Sequence, residues 1–294
     1  MTLKSALKRV RSSQPINQIS TSLLRGFSNA TGWKPKGLIS HLPRVGVIDV
    51  RLPNGHVMKM VSDGEDWIPT QLFWHGWLGY EPEVTSIFYK LTRDVRVVFD
   101  VGAYVGFFSL LAAIGQPQSR IIALEPLERI HSRLSRNVSL NGLNNIDCIQ
   151  AAAGKERTQQ EFYYPDDISP VASSLRSDLL LATMSAEKIK HVSVQVETLD
   201  DVAARLNLGP VDLIKMDTER TEHEVLEGSK VILERDRPAI ICEVWPDANN
   251  SQLLESMLIP LGYRFYHLLP DGPQHSERII GDVNALNYLF TTAR

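Results

Sequence analysis

The chain has 294 residues, 43% of them hydrophobic and 22% charged, with a net charge of −3; this suits a globular protein with one large core, or a core and a smaller attached unit. No apolar run approaches the ~18 residues of a membrane span and no signal-peptide core is present, so neither feature is expected. The first 48 residues hold eight basic side chains (Lys4, Lys8, Arg9, Arg11, Arg25, Lys34, Lys36 and Arg44) and no acid; the acidic remainder would repel nucleic acid and speaks against it as a partner.

In chain order, residues 1–44 read as a basic N-terminal arm, with Leu3, Leu7 and Val10 on one helical face. Such an arm is a candidate for disorder, for a transit peptide or for peripheral membrane contact. Residues 45–94 read as an N-terminal hairpin and aromatic-rich cap. Apolar and polar residues alternate on both sides of Asn54-Gly55, the strongest short hairpin signal. Trp67, Phe73, Trp74, Trp77 and Tyr80 follow, either capping a core or forming a lip over a ligand turn, and a helix is expected over 84–91.

Residues 95–294 read as an α/β domain. Strands are expected at 97–101, 121–124, 146–153, 161–164, 192–196, 211–216, 238–244, 263–268 and 287–291. Helices are expected between them at 127–141, 198–207, 222–234 and 251–261, with a mobile loop over about 165–185 and another loop around 270–273. The last two strands have no helix between them and should pair antiparallel. Cys148 and Cys242 lie in apolar runs, as buried thiols of a reducing, cytoplasmic compartment do.

The organising stretch is the strand–turn–helix junction at 97–109, where Asp100 precedes two glycines, Gly102 and Gly106. In an open α/β sheet, ligands bind at the carboxyl ends of such strands. Glu125 follows Gly106 by 19 residues, the distance at which the acid of the next strand reaches a ribose diol. A dinucleotide site wants Gly-x-Gly-x-x-Gly, but Tyr104 stands where the second glycine would be, and no Gly-Lys-Ser/Thr phosphate loop occurs. Asp100 would repel a pyrophosphate and attract an ammonium or sulfonium. S-adenosyl-L-methionine fits both ends.

The runs VVFDVGAYVGFFSL, IIALEPLERIHSRLSRNVSLNGL, VDLIKMDTERTEHEVLEG and PAIICEV resemble the FkbM family of S-adenosylmethionine-dependent methyltransferases over about residues 80–290. The resemblance implies a Rossmann-like class I methyltransferase fold: a seven-stranded, mostly parallel sheet with a terminal antiparallel hairpin. It also implies O-methylation of a hydroxyl on a sugar, polyketide, lipid or other small-molecule or glycan acceptor. Asp100, Gly102, Ala103, Tyr104, Gly106 and Phe107 would line the methionine part, Glu125 and Pro126 the ribose, and Gln150, Ala151 and Ala152 the adenine edge. The family's Asp-x-Glu-Gly-x-Glu pattern maps onto Asp217, Glu219 and Glu222, with Arg220 in place of its glycine and His223 where an apolar residue is usual.

Methyl transfer is an in-line displacement, so alignment supplies most of the acceleration, and an aliphatic hydroxyl also needs its proton drawn off. Asp217 is the first choice for that base, with Glu219 and His223 as alternatives and Lys215 close by on the same strand. Asp217, Glu219 and Glu222 could instead hold a divalent cation, though carboxylates without a His/Asp spacing signature support this weakly. Two rival readings are a nicotinamide-dependent oxidoreductase using the same turn and a catalytically idle cofactor-binding scaffold. The acceptor and the oligomeric state carry no code in the sequence.

Overall fold

In the computed structural model, Asn54-Gly55 turns the chain between β1 (Val45–Arg51) and β2 (Val57–Asp63), which pair antiparallel with Val45 opposite Asp63 and Arg51 opposite Val57. The structure describes residues 13–32, 42–64, 66–166, 173–176, 181 and 185–292, and falls into two compact units, Met1–Pro82 and Glu83–Arg294.

In the first unit, Ile48, Val50, Met58 and Met60 alternate inward along the hairpin and are buried. Helix α1 (Gln14–Thr31) has a proline in its first turn and stops at Gly32, whose φ of 72° only glycine adopts readily. Its buried residues are polar. Asn17 Nδ2 donates to Pro43 O (2.7 Å), Asn17 Oδ1 accepts from Val45 N (2.8 Å), and Arg44 donates to Gln18 O (2.6 Å) and Thr21 Oγ1 (2.8 Å). The expected arm is therefore ordered helix over 14–31, because these side chains satisfy the hairpin's backbone; residues 1–12 lie outside the described residues. Helix α2 (Trp67–His75) buries Ile68, Leu72, Phe73 and Trp74, and Trp74 Nε1 donates to Leu42 O at 3.1 Å. Phe73 and Trp74 thus belong to this unit's own core.

The second unit opens after Pro82, the first residue of α3 (Pro82–Leu91), rather than at residue 95, since α3 packs on the sheet domain: Phe88 meets Phe108 edge-on at 5.0 Å. Its strands are β3 (Val97–Val101), β4 (Arg120–Leu124), β5 (Ile146–Ile149), β6 (Ala152–Ala153), β7 (Thr158–Pro165), β8 (Ile189–Glu197), β9 (Leu213–Met216), β10 (Ala239–Glu243), β11 (Tyr263–Leu269), β12 (Gly272–Ser276) and β13 (Asn287–Thr292). The main sheet runs β12-β11-β13-β10-β9-β3-β4-β5. From β10 to β5 the pairs are parallel, whereas β13 and β11 pair antiparallel as expected. The eighth strand is β12, in the segment expected as a loop: Gly272 turns the chain back onto β11, from Leu269 opposite Gly272 to Phe265 opposite Ser276. β3 and β9 are buried throughout, as strands covered on both faces must be.

The helices are α4 (Phe107–Gly115), α5 (Glu128–Leu140), α6 (Leu199–Arg205), α7 (Glu222–Glu227), α8 (Lys230–Arg235) and α9 (Ala248–Leu258). The helix expected over 222–234 is divided at Gly228-Ser229, where Gly228 lies so close to Gly154 that a Cβ would stand 2.1 Å from the Gly154 carbonyl oxygen. The strand expected over 146–153 is also divided: β5 ends at Ile149, and β6 joins β8 and β7 in a separate three-stranded sheet. The loop expected over about 165–185 lies mostly outside the described residues. Among the described residues no helix is long and apolar enough to cross a membrane.

Candidate active site

The order of the main sheet reverses between β3 and β9, and their carboxyl ends carry the two acidic segments. After β3 the chain makes a turn with three left-handed residues, Gly102 (φ 75°), Tyr104 (φ 49°) and Gly106 (φ 89°). Gly102 N and Ala103 N donate to Leu124 O (3.1 and 2.9 Å), Gly106 N to Ala103 O (2.8 Å), and Tyr104 N to Glu125 Oε2 (3.1 Å). These four donors are used within the protein, so they are not the open nest that cradles a phosphate. Phe107 is buried at the start of α4 beside Phe108.

Asp100 is buried and accepts a hydrogen bond from Ser109 Oγ in α4 (2.5 Å); burial pushes its carboxyl above the usual range. Glu125, buried at the end of β4 beside buried Pro126, accepts from Leu127 N through Oε1 (2.9 Å) as well as from Tyr104 N. Burial raises it to about 7, although both backbone donors favour the charged form. Its two oxygens offer about four lone-pair positions, of which these bonds use two. Gln150 is exposed and Ala151 buried after β5, while Ala152 is the first residue of β6.

The opposite wall comes from β9 and β10. Lys215, 3% exposed, donates from Nζ to Asp217 Oδ2 (3.2 Å) and lies 4.9 Å over the Phe108 ring. Burial alone would raise Asp217, but the Lys215 ammonium and a hydrogen bond with Glu243 hold it below the usual carboxylate range. Glu243 sits beside Asp217 because β10 runs parallel to β9 with Cys242 opposite Met216. Burial, then the Asp217 and Glu219 charges, push Glu243 up to about 11, and Trp245 Nε1 donates to its Oε2 (3.1 Å). Glu219 is raised to about 8 by burial and by the charges of Asp217 and Glu222, and its Oε2 is buried with no hydrogen-bond partner among the described residues. Asp217, Glu219 and Glu243 each bring one oxygen within 4.8 Å of the others. A divalent cation held there would favour the charged forms of Glu219 and Glu243 that burial disfavours.

Glu219 (φ 53°) and Arg220 (φ 76°) are consecutive left-handed residues. Ser174 Oγ donates to the Glu219 carbonyl (2.7 Å), and the Arg220 guanidinium lies 5.6 Å over the Trp245 ring. Glu222, buried, is fully employed in holding this loop: Oε1 accepts from Thr218 N (3.3 Å), Thr218 Oγ1 (3.1 Å) and Arg220 N (3.0 Å), and Oε2 from Asn250 Nδ2 (3.1 Å). His223 is turned to α9, with Nδ1 2.9 Å from Asn250 Oδ1, and does not join the carboxylate cluster. Of the three carboxylates weighed from the sequence as possible cation ligands, Asp217 and Glu219 are brought together and Glu222 is not, while Glu243 stands in third place beside them. The signal for Glu243 was present, an acid ending an apolar strand, but its place beside Asp217 depends on the register of β9 and β10.

Residues 100–265 match the family described as the methyltransferase FkbM domain. Methyltransferase 1 of Beauveria bassiana is 29% identical over 147 residues, covering 46% of this chain and 59% of that protein. The 31-O-demethyl-FK506 methyltransferase FkbM of Streptomyces tacrolimicus is 26% identical over 201 residues, covering 61% and 74%. A solved methyltransferase FkbM from Methylobacillus flagellatus superposes with a TM-score of 0.45 at 14% identity, covering 67% of this chain and 44% of that one. The match thus spans little more than half the length of the first of these relatives.

Proposed function

The chain belongs to the methyltransferase FkbM family, and we propose that it transfers the methyl group of S-adenosylmethionine to a hydroxyl of a small-molecule or glycan acceptor. The observation that carries this reading is the pairing of Glu125 with a glycine turn in which the N–H groups of Gly102, Ala103, Tyr104 and Gly106 are already used. That arrangement suits a ribose beside a cationic amino-acid end and withholds these four donors from a pyrophosphate, which disfavours the nicotinamide-dependent alternative. The position specified in the name of the Streptomyces relative is an oxygen, which supports oxygen as the accepting atom.

When bound, S-adenosylmethionine supplies a methyl carbon activated by the sulfonium. Asp100, Gly102, Ala103, Tyr104, Gly106 and Phe107 border its methionine end, Glu125 and Pro126 the ribose, and Gln150, Ala151 and Ala152 the adenine edge. Asp217 is ionised and anchored by Lys215, and it orients the acceptor hydroxyl. Glu219 takes the proton: its pKa of about 8 and the unpaired Oε2 make it the better base than Asp217, whose charge is held too stable to attract a proton. The free thiols Cys148 and Cys242 favour a reducing, cytoplasmic setting.

Isothermal titration against S-adenosylmethionine and against NAD tests the reading. Heat with the first and none with the second is expected, with Glu125→Ala losing it and Asp217→Asn keeping it. A labelled-methyl screen over sugar, lipid and polyketide hydroxyls then separates an enzyme from an idle scaffold.

A further inference from the structure

Helix α1 is built the wrong way round for a helix resting on a core. The face turned to the hairpin is polar, with Asn17, Thr21 and Ser28 buried. The opposite face carries Ile16, Ile19 and Leu23 at helical spacing, 39%, 63% and 70% exposed, and Phe27, one turn further on, is 53% exposed. Surface hydrophobics scattered singly need no explanation, but an unbroken stripe along one helix does.

Charge decides what covers it. The stripe lies in an acid-free segment: Lys4, Lys8, Arg9 and Arg11 precede the helix in sequence, Lys34 and Lys36 follow it, and no Asp or Glu occurs before Asp49. A second copy of the same helix would bring two such basic segments together, and the repulsion opposes a self-complementary pair. A surface that is apolar beneath and anionic at its rim satisfies both features at once. We infer that the α1 stripe docks the protein on an anionic lipid surface, the helix lying in the plane of the headgroups. Ile16, Ile19 and Leu23 enter the acyl boundary, and the net positive charge of the acid-free sequence supplies the attraction to anionic lipid. The polar face stays on β1 through the Asn17 and Arg44 bonds, so docking does not require the helix to leave its hairpin. The inference concerns the first unit alone and stands apart from the methyl-transfer reading.

The test is co-sedimentation of the full chain with vesicles of phosphatidylcholine alone and of phosphatidylcholine containing about one third phosphatidylglycerol, at low and high salt. Binding to the anionic vesicles, weakened by salt, is expected. Ile19→Glu with Leu23→Glu should reduce it by roughly tenfold or more while leaving the circular dichroism spectrum unchanged, since both side chains are exposed. Failure of the unaltered chain to sediment with anionic vesicles overturns the inference, as does sedimentation that the double variant does not weaken. Analytical ultracentrifugation supplies the remaining outcome: a dimer that the double variant splits would show that the stripe covers a second copy, and the lipid assignment would fall.

Discussion

A Cβ placed on Gly102 would stand 2.0 Å from the backbone oxygen of Asp217. The turn after β3 and the acidic segment after β9 therefore touch through main chain, and the glycine is needed both for its φ of 75° and for that approach. Gly102→Ala must push the two segments apart. We expect a loss of about 3 kcal/mol or more in chemical denaturation, together with loss of S-adenosylmethionine binding.

Glu125 and Glu219 are held at about 7 and about 8, above the ordinary glutamate value. The unfolded chain gives up these protons at lower pH than the folded chain does, so between about 4.3 and 8 it binds fewer protons and folding stability falls as pH rises. Thermal melts from pH 5 to 9 should show this decline. Glu125→Gln should flatten its part of it, of order 3 kcal/mol at full titration; a melting temperature that climbs over this range would contradict the assignment.

If Glu219 takes the acceptor's proton, kcat/KM rises with pH and levels off above about 8. Glu219→Gln should lower kcat by roughly a hundredfold or more with S-adenosylmethionine affinity unchanged.

Arg220 adopts φ 76°, a conformation in which a side chain costs ~1–2 kcal/mol and which accounts for the glycine of the family pattern at this position. Its guanidinium regains part of this, ~0.5–1 kcal/mol, over Trp245, and a glycine would add backbone entropy to the unfolded chain. Arg220→Gly should accordingly change stability by less than about 1 kcal/mol. Its measurable effect is expected on the acceptor's KM, read in steady-state kinetics.

The parts of the fold readable in the sequence are those fixed by local chemistry. A β-branched run, two glycines and a following apolar run suffice to define β3, the turn and α4, and Asn54-Gly55 defines the hairpin. What escaped was fixed at a distance. Glu243 joins the site through the register of β10 on β9, the glycine at the 228 break is required by the approach of the Gly154 carbonyl, and α1 was hidden because its polar residues, not its apolar ones, face inward. His223 shows the same limit: its sequence position beside the acidic motif suggested an alternative base, while the direction of its side chain, here to Asn250, is set by the helix and not by the motif.

The strand β12 carries Pro273 opposite Leu268 and has no partner strand on its outer side among the described residues. A proline belongs in a sheet only at such a border, because it leaves a gap in the row of donors that an incoming strand would need. The additional strand therefore acts as a terminator: it covers β11, whose edge would otherwise be open, and offers a poorer template in its place. A chain lacking 272–276 would present the β11 edge instead, and is expected to self-associate more readily in size-exclusion chromatography.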